Sequence, residues 1–311
     1  MSGTRPLDVL VIGDLFLDLV MSGFESWPNP GEEAFALGFF REAGGGAAIT
    51  AAGLAKLGAR VGVLGAVGAM DGEWFLARLA SLGVDRTAIR RSVKEPTAVT
   101  VSVSGAAERA YFTYMGANRE LPELLRASLA EGSFPAARHV HLACAPAPNE
   151  LLALLRAIAN RGSTISMDVG WHPDWLANPT AKGALQQADI FFPNEREAAL
   201  VTAATDPARM LELLQDAGLP LVALKLGAQG GAVLSKGHPV FQKSKAINSV
   251  DTTGAGDCFD AGFLDAWLRG EDPAKCLEAG VACGALSTRA PGGISAFPTR
   301  EELDTAICRA K

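Results

Sequence analysis

A glycine-rich segment late in the chain carries the residues best suited to chemistry. It reads DTTGAGDCFDAGF over residues 251–263, and apolar residues follow Asp257 at helical spacing, so the turn leads into a helix N-terminus. The N–H groups of Gly254, Ala255 and Gly256 can therefore converge on one anion, which the helix dipole also favours. Asp257 beside them suits a base that takes the proton of a hydroxyl attacking a phosphoryl group.

An ordinary helix whose first turn is capped by an aspartate explains the same spacing, because such caps are frequent. The spacing alone leaves both interpretations open. The chain lacks the GxxxxGK[ST] pattern, so the segment is not a Walker-type loop.

Strand and helix patterns alternate through most of the chain. The first strand is predicted at 7–13, and a helix of small residues at 46–57 ends before Gly58. Later apolar strands, separated by helical runs at about 148–160, 195–203 and 207–217, are HVHLAC, TISMDV, DIFFPN and LVALKLG. This alternation predicts an α/β fold, a doubly wound and mainly parallel sheet with helices on both faces. No linker divides the chain, so we expect a single domain over residues 1–311.

Three stretches depart from this alternation and predict a small separate β-sheet. They are inserted at about 15–22, 32–43 and 96–117, and the last of them has the pattern of a β-hairpin. Ligand sites in doubly wound folds lie at the carboxyl ends of the strands, so such a sheet could cover the site as a lid. A surface excursion without a role is the alternative.

Composition excludes several classes of partner and compartment. The chain has 311 residues, 49% hydrophobic, with a net charge of −6, which offers no basic surface for nucleic acid or an anionic membrane. Its five cysteines form no CxxC pair, which favours reduced thiols and a cytoplasmic location. No uncharged apolar run is long enough to span a membrane, and the N-terminus lacks the features of a signal peptide.

Two segments together resemble a known family. Residues 251–263 look like the C-terminal signature of the ribokinase-like (PfkB) carbohydrate kinases, and residues 44–75 are similar to their N-terminal signature. The order of strands, the lid insertions and the length also fit, so the resemblance covers essentially the whole chain. It implies that Asp257 is the catalytic base and that Gly254, Ala255 and Gly256 hold the transferring phosphoryl group of ATP.

The resemblance also implies a nucleotide side of the site. PNEREA at 193–198 matches the family's Asn-x-x-Glu element, which places Asn194 and Glu197 at the phosphates and at Mg²⁺, with Glu197 acting through water. A plain helix start with Asn194 as its cap is the alternative. Further residues matched to ATP binding are Lys225, Gly227 and Gly230 in the KLGAQGG turn, and Thr252.

Asp251 and Thr253 match positions that help to bind a monovalent cation such as K⁺ in many relatives. The second half of that site would come from the TRAPGG loop at 288–293. A buried aspartate that bonds backbone N–H groups is the alternative.

On the acceptor side, Asp18 matches the family acid that accepts hydrogen bonds from sugar hydroxyls, and Asp14 is a second candidate. Gly44 and Gly45 match the glycines whose backbone faces the sugar. The sequence departs from the family pattern at Ile49, where many sugar kinases carry Asn. The missing amide could be supplied by Asn118.

These residues predict an ATP- and Mg²⁺-dependent kinase that phosphorylates a primary hydroxyl of a monosaccharide. A nucleoside kinase on the same scaffold is the near alternative, and a non-catalytic sugar- or nucleotide-binding protein is a more distant one. The exposed edge and face of the predicted lid need cover, so we expect a homodimer built partly through its strands.

Overall fold

The fold is a computed structural model that describes residues 6–105, 109–245 and 247–308. Its strands, in chain order, are β1 (Leu7–Gly13), β2 (Phe16–Phe24), β3 (Gly38–Gly44), β4 (Val61–Gly68), β5 (Ile89–Ser92), β6 (Ala98–Gly105), β7 (Arg109–Tyr114), β8 (Ala137–Ala143), β9 (Thr164–Met167), β10 (Ile190–Phe191), β11 (Ala223–Lys225), β12 (Gly231–Ser235) and β13 (His238–Gln242). Its helices are α1 (Gly46–Lys56), α2 (Glu73–Ser81), α3 (Leu121–Glu131), α4 (Pro148–Ala159), α5 (Pro173–Ala177), α6 (Pro179–Leu185), α7 (Glu195–Thr202), α8 (Pro207–Asp216), α9 (Ala255–Leu268), α10 (Pro273–Ser287) and α11 (Arg300–Cys308).

The central sheet has six strands in the order β10-β9-β8-β1-β4-β5, and every neighbouring pair is parallel. Successive residues of β1 alternate between two cores, because side chains of a strand point to opposite faces. Val9 and Val11 pack with α1, α2, α9, α10 and α11, whereas Leu10 and Ile12 pack with α3 to α8. The predicted doubly wound sheet with helices on both faces is confirmed.

The strand order reverses at β1, which positions the site. The chain continues from β1 toward β4 on one side and later returns to β8 on the other, so a crevice opens at their carboxyl ends. A side chain at Gly13 would overlap the carbonyl oxygen of Ala143, so these two strand ends lie very close together. Asp14 follows β1 directly and therefore lies at the crevice.

The predicted strand LVALKLG is only partly a member of this sheet. Phe191 and Asn194 form isolated parallel bridges with Val222 and Lys225, whereas β11 itself pairs antiparallel with β12 in a separate sheet β11-β12-β13. The chain turns through residues 227–230 immediately after β11, which leaves too few residues for a full parallel partner.

The small sheet has the order β3-β2-β6-β7, with β2 and β6 parallel and both outer pairs antiparallel. The hairpin predicted in 97–117 corresponds to β6 and β7, while its turn at 106–108 lies outside the described residues. The stretch predicted at about 32–43 forms a strand only in its second half. Residues 32–37 have no regular structure, and β3 begins at Gly38.

Register separates the two faces of this sheet. Asp18 lies level with Glu42 and Thr100, and Phe40 and Glu42 of the same face lie against Gly292 of the main body. The opposite face carries mainly apolar side chains from all four strands: Leu17, Leu19, Met21, Phe39, Val99, Val101, Val103, Phe112 and Tyr114. Across the described residues, no helix is long and apolar enough to cross a membrane.

Candidate active site

The glycine-rich turn forms the start of α9, as its sequence predicts. Gly254 precedes the helix with a left-handed φ of 71°, which favours glycine, and Ile49 Cδ1 would lie 2.7 Å from a Cβ at this position. No side chain caps this helix start within the structure as described. Ala255 N–H already donates to Thr252 O at 3.2 Å, so of the three predicted N–H groups this one is engaged in the turn itself. Thr252 is exposed.

Asp257 lies in the first turn of α9 beside the start of α1. A Cβ at Gly46 would lie 3.1 Å from Asp257 Oδ1, and Thr50 Oγ1 donates to the Asp257 carbonyl oxygen at 3.2 Å. Burial raises the pKa of Asp257 to about 7; the charges of Asp168 and Glu197 add to this effect and that of Lys225 opposes it. The carboxyl group can therefore accept a proton near neutral pH.

Asp18 faces the same glycines from the small sheet. A Cβ at Gly44 would overlap the Asp18 carboxylate, and Gly45, with a φ of 86°, passes so close to Asp14 that a Cβ would overlap its carbonyl oxygen. Burial raises the pKa of Asp18 to about 7, with further contributions from the charges of Asp257, Asp251 and Glu42, and it raises that of Asp14 to about 6. The structure therefore places both predicted acceptor-side acids next to the glycine turn at residues 44–46.

The side chain of Asn118 forms hydrogen bonds with the backbone of Leu15 in this structure. Its Oδ1 accepts Leu15 N–H at 3.0 Å and its Nδ2 donates to Leu15 O at 3.1 Å, and only 3% of the residue is exposed. The predicted sugar-contacting amide is thus committed to the link between β1 and β2, because the buried backbone of Leu15 needs these partners. Asn118 fixes the segment that carries Asp14 and Asp18.

Ile49, the departure from the family pattern, packs against the glycine-rich turn. Its methyl groups would lie 2.7–3.3 Å from a Cβ at Gly254 and 2.9–3.0 Å from a Cβ at Gly293, and the residue is buried. An apolar side chain at this position therefore supports the two backbone segments that meet beside α9.

Asn194 and Glu197 form a capping box at the start of α7. Glu197 N–H donates to Asn194 Oδ1 at 3.0 Å, while Glu197 accepts from Asn194 N–H at 2.8 Å and from Asn194 Nδ2 at 2.6 Å. Glu197 is buried, and burial together with the charge of Asp168 raises its pKa. Asn194 and Glu197 therefore cap the helix, as the alternative expected. The charge of Glu197 also contributes to the raised pKa of Asp257.

Lys225, which the resemblance matched to ATP binding, contacts two acidic side chains in this structure. Its Nζ donates to Asp168 Oδ2 at 2.6 Å and to Asp260 Oδ1 at 3.3 Å, and only 11% of its side chain is exposed. Burial favours the neutral amine, but the charges of Asp168 and Asp260 outweigh it and hold the pKa of Lys225 above its ordinary value. The ammonium lies beneath the turn, 3.6 Å from where a Cβ of Gly256 would be.

Sequence reasoning missed Asp168 and Asp260, although both carried a signal. Asp168 directly follows β9 as Asp14 follows β1, and Asp260 lies one helical turn after Asp257. Carboxylate oxygens of Asp168, Asp257 and Asp260 all lie within 4.8 Å of one another, a spacing that could hold a metal ion. Lys225 already supplies a positive charge to two of them.

The other two predicted glycines lie beyond this cluster. Gly227 begins the short turn after β11, where a Cβ would meet no atom within 4 Å. Gly230 ends the same turn, and a Cβ there would overlap the carbonyl oxygen of Gln242 at the end of β13.

The two predicted halves of the cation site are adjacent. Asp251 Oδ1 accepts from Thr253 N–H at 3.0 Å and Thr253 Oγ1 at 2.8 Å, while its Oδ2 accepts Gly292 N–H at 2.9 Å. Asp251 is thus a buried acid bonded to backbone N–H groups, as the alternative expected, and it joins the start of the turn to the 288–293 loop.

A cleft that the sequence did not reveal lies behind this loop. Thr288 O, just after α10, accepts the N–H groups of Val250 and Asp251 at 2.7 and 3.1 Å. Side chains of α10, α11 and the segment after β13 line the cleft, among them Val281, Ala285, Leu286, Ile307, Lys243 and Lys245.

Comparisons with known proteins show which family the chain belongs to. The chain is 36% identical over 272 residues to an ATP-dependent ribose-1-phosphate kinase of Halopiger xanaduensis, which covers 85% of this chain and 86% of that protein. It is 30% identical over 267 residues to a 2-dehydro-3-deoxygluconokinase of Bacillus subtilis, which covers 81% and 82%. The solved ribokinase of Arabidopsis thaliana, complexed with ribose and ATP, superposes with a TM-score of 0.78 at 25% identity over 97% of this chain and 99% of that one. The family model described as pfkB family carbohydrate kinase matches residues 7–300, and the chain belongs to this family of ATP-dependent phosphotransferases.

Proposed function

We propose that the protein transfers the γ-phosphoryl group of ATP to a primary hydroxyl of an uncharged monosaccharide, with Asp257 as general base. One observation carries this proposal: the carboxylates of Asp257 and Asp18 border the same glycine turn at residues 44–46, at the uncapped N-terminus of α9. A hydroxyl held between them meets a proton acceptor and the positive end of a helix dipole together.

Each of these groups then has a defined task. Asp18 and Asp14 accept hydrogen bonds from sugar hydroxyls and orient the acceptor. Asp257 takes the proton of the attacking hydroxyl as its oxygen bonds to phosphorus. N–H groups at the start of α9, Gly256 among them, stabilise the negative charge of the transferring group.

The nucleotide would bind along the glycine-rich turn and in the cleft behind the 288–293 loop. Apolar side chains of α10 and α11, such as Val281 and Ile307, suit the adenine base, and the lysines of the segment after β13 suit its charged end. Mg²⁺ supplies charge neutralisation on the phosphates when bound. Glu197, with carboxylate lone pairs beyond those that Asn194 uses, is the residue that would hold its water shell.

The charges around the acceptor side favour a neutral sugar. The groups that act on Asp18 are the acids Asp257, Asp251 and Glu42, and the nearby Arg78 is bound in a bidentate pair to Glu42, with both distances 2.7 Å. A phosphate or carboxylate on the acceptor would be repelled here, because like charges at short range oppose binding. We therefore separate this chain from the two relatives named for a sugar phosphate and a sugar acid.

An ADP-release assay with a panel of acceptors tests the proposal. The panel contains ribose, fructose, inosine, ribose 1-phosphate and 2-dehydro-3-deoxygluconate, each at equal concentration with MgATP. We expect the highest kcat/KM with a neutral monosaccharide, by at least about tenfold, which corresponds to about 1.4 kcal/mol of discrimination. A preference for either anionic acceptor would overturn the neutral-sugar assignment, and a preference for inosine would favour a nucleoside kinase.

We further propose a homodimer that pairs the apolar face of the small sheet. Phe39, Phe112 and Tyr114 of that face are 65%, 58% and 44% exposed, and valines of β6 continue it. An apolar surface of this kind on a sheet with two open edges is stabilised when a second copy covers it.

We also propose that a monovalent cation binds between residues 251–253 and 288–293. The carbonyl-rich loop and the Asp251 carboxylate meet there, beside the turn that handles the phosphoryl group. A cation at this position would stabilise the turn and add positive charge beside the transferring phosphoryl group.

A further inference from the structure

A buried cluster of charged side chains lies directly beneath Asp257. The proposed mechanism assigns no contact with substrate to any member of this cluster. The cluster consists of Asp168, Lys225 and Asp260. Lys225 Nζ lies 2.6 Å from Asp168 Oδ2 and 3.3 and 3.4 Å from the two oxygens of Asp260. Carboxylate oxygens of both acids lie within 4.8 Å of a carboxylate oxygen of Asp257.

Three different elements hold this cluster in place. Asp168 follows the end of β9, Lys225 ends β11, and Asp260 projects from α9 one turn beyond Asp257. The side chain of Asp260 has no exposed surface, and those of Asp168 and Lys225 are each 11% exposed. Because Lys225 and Asp260 lie within a strand and a helix and Asp168 adjoins the end of another strand, the cluster is held in position relative to Asp257.

Several charged groups face Asp257 from the elements packed around it. Lys225 is the cation among the described groups, and α1 contributes Gly46 and the hydroxyl of Thr50, which carry no charge. The acids, from β9, α9, α7 and β2 respectively, are Asp168, Asp260, Glu197 and Asp18. Among the described groups that shift the pKa of Asp257, Lys225 is the one that favours its charged form.

We propose that Lys225 and Asp168 are positioning residues for phosphoryl transfer, whose ion pair sets the charge beneath Asp257 and keeps that carboxylate ready to accept the hydroxyl proton. This inference rests on the proposed role of Asp257 as the base. It replaces the expectation that Lys225 contacts a phosphate, and it makes Lys225, rather than a metal ion, the partner of Asp168 and Asp260 and the positive charge that acts on Asp257.

Lys225 and Asp168 form the closest ion pair of the cluster. Burial, outweighed by the charge of Lys225 and by hydrogen bonds, leaves the pKa of Asp168 at about 2, so Asp168 is charged. Burial, together with the negative charge of Asp168, raises the pKa of Asp260 well above its ordinary value, and the charge of Lys225 opposes this rise. Removing Lys225 leaves the negative charge of Asp168 near Asp257 without its partner, whereas removing the Asp168 charge removes one of the charges that oppose the ionised form of Asp257.

The test is a pH titration of Asp257 by NMR, on the full-length protein without nucleotide or sugar. Protein labelled with [4-¹³C]aspartate is titrated from pH 5 to 9, and the Asp257 signal is assigned by its loss in Asp257→Asn. We expect Lys225→Met to raise the titration midpoint by about one pH unit and Asp168→Asn to lower it by about one unit. The double variant Asp168→Asn/Lys225→Met returns the midpoint to within about 0.3 units of the wild-type value, because both charges are gone.

Matched controls separate charge from structural damage. Lys275→Met removes an exposed lysine that also pairs with a glutamate, Glu271, and leaves the Asp257 midpoint unchanged. Asp260→Asn keeps the size of the side chain, and we expect it to shift the midpoint less than Asp168→Asn does, because the pKa of Asp260 lies well above its ordinary value. Circular dichroism verifies folding; if Lys225→Met does not fold, the shift in Asp168→Asn and its reversal in the double variant carry the test.

Two results would overturn the proposal. One is a shift of the same sign, or none, in Lys225→Met and Asp168→Asn. The other is a saturable shift of the Asp257 signal by Mg²⁺ alone, abolished by Asp260→Asn, which would make the cluster a metal site. The failure of this proposal can be distinguished from the failure of the proposed function. If only the positioning role is wrong, the Asp257→Asn variant is still inactive in the ADP-release assay. If Asp257 is not the base, the Asp257→Asn variant is active.

Discussion

The carboxylate of Asp18 lies directly against the backbone of Gly44, so that any Cβ at Gly44 would overlap it. Asp18 belongs to β2 of the small sheet, while Gly44 ends β3 and leads into α1 of the main body. The small sheet and the proposed acceptor side of the site are therefore built from the same few residues. A hydroxyl group that binds Asp18 must also approach this glycine backbone.

Gly44→Ala should impair acceptor binding. The added methyl group displaces the Asp18 carboxylate, so we expect the KM for the best acceptor of the panel to rise at least about tenfold, with a smaller effect on the KM for ATP. Steady-state kinetics at saturating and limiting acceptor measure this. Gly183→Ala is the control, since a Cβ there meets no atom within 4 Å and the residue lies inside α6. Equal KM values for Gly44→Ala and wild type would contradict the placement of the acceptor.

Asp257→Asn should nearly abolish turnover while retaining ATP. Loss of the base removes about 10²–10⁴-fold in kcat, and the amide keeps the size of the side chain at the helix start. The ADP-release assay gives kcat, and calorimetry gives the Kd for ATP. Asp206→Asn makes the same replacement of a carboxylate by an amide at an exposed helix cap, and it should leave kcat unchanged. Turnover within a few fold of wild type would remove Asp257 as the base.

Asp18→Asn should stabilise the protein at alkaline pH. The pKa of Asp18 is about 7 in the folded chain and near 3.8 in the unfolded chain, so the folded state binds its proton more tightly and the group lowers stability as pH rises between these values. We expect the gain in unfolding free energy of Asp18→Asn over wild type to be larger at pH 8 than at pH 4 by about 1–4 kcal/mol. Urea unfolding at both pH values measures it, and a gain independent of pH would contradict the burial of an ionisable Asp18.

Val101→Lys should dissociate the proposed homodimer. The lysine adds a charge in the middle of the apolar face, which is costly to bury between two copies. Sedimentation at micromolar concentration should show a dimer for wild type and a monomer for this variant. Leu200→Lys, which places the same charge on the partly exposed side of α7, keeps the dimer. A monomeric wild-type protein would remove the proposed interface.

Potassium should activate the enzyme through the site near Asp251. Replacing KCl by tetramethylammonium chloride at equal ionic strength should lower kcat/KM at least about fivefold, because the larger ion cannot enter a site built from short backbone contacts. Thr253→Val should weaken this dependence, since it removes the hydroxyl bonded to Asp251. Identical rates in both salts would show that the Asp251 contacts serve only to hold the loop.

Much of the fold could be predicted because the relevant signals are local. The alternation of β1 between two cores follows from its run of apolar residues, and the start of α9 follows from a glycine-rich turn before an apolar helix. The short helices α5 and α6 were not predicted, since each has fewer than two full turns and begins at a proline that also suits a loop. Helix α3 was missed as well, although Gly132 ends it in a left-handed conformation.

The sequence by itself determined the family and the sheet and predicted the residues proposed to flank the phosphoryl group, because two signatures in a fixed order carry that information. Only the tertiary structure decided which partners the individual side chains contact. Lys225 turns to Asp168 and Asp260, Asn118 turns to the backbone of Leu15, and Ile49 packs beneath Gly254. These contacts join residues 35 to 205 positions apart, and no local pattern encodes them, because burial forces each polar group to the nearest partner that the folded chain supplies.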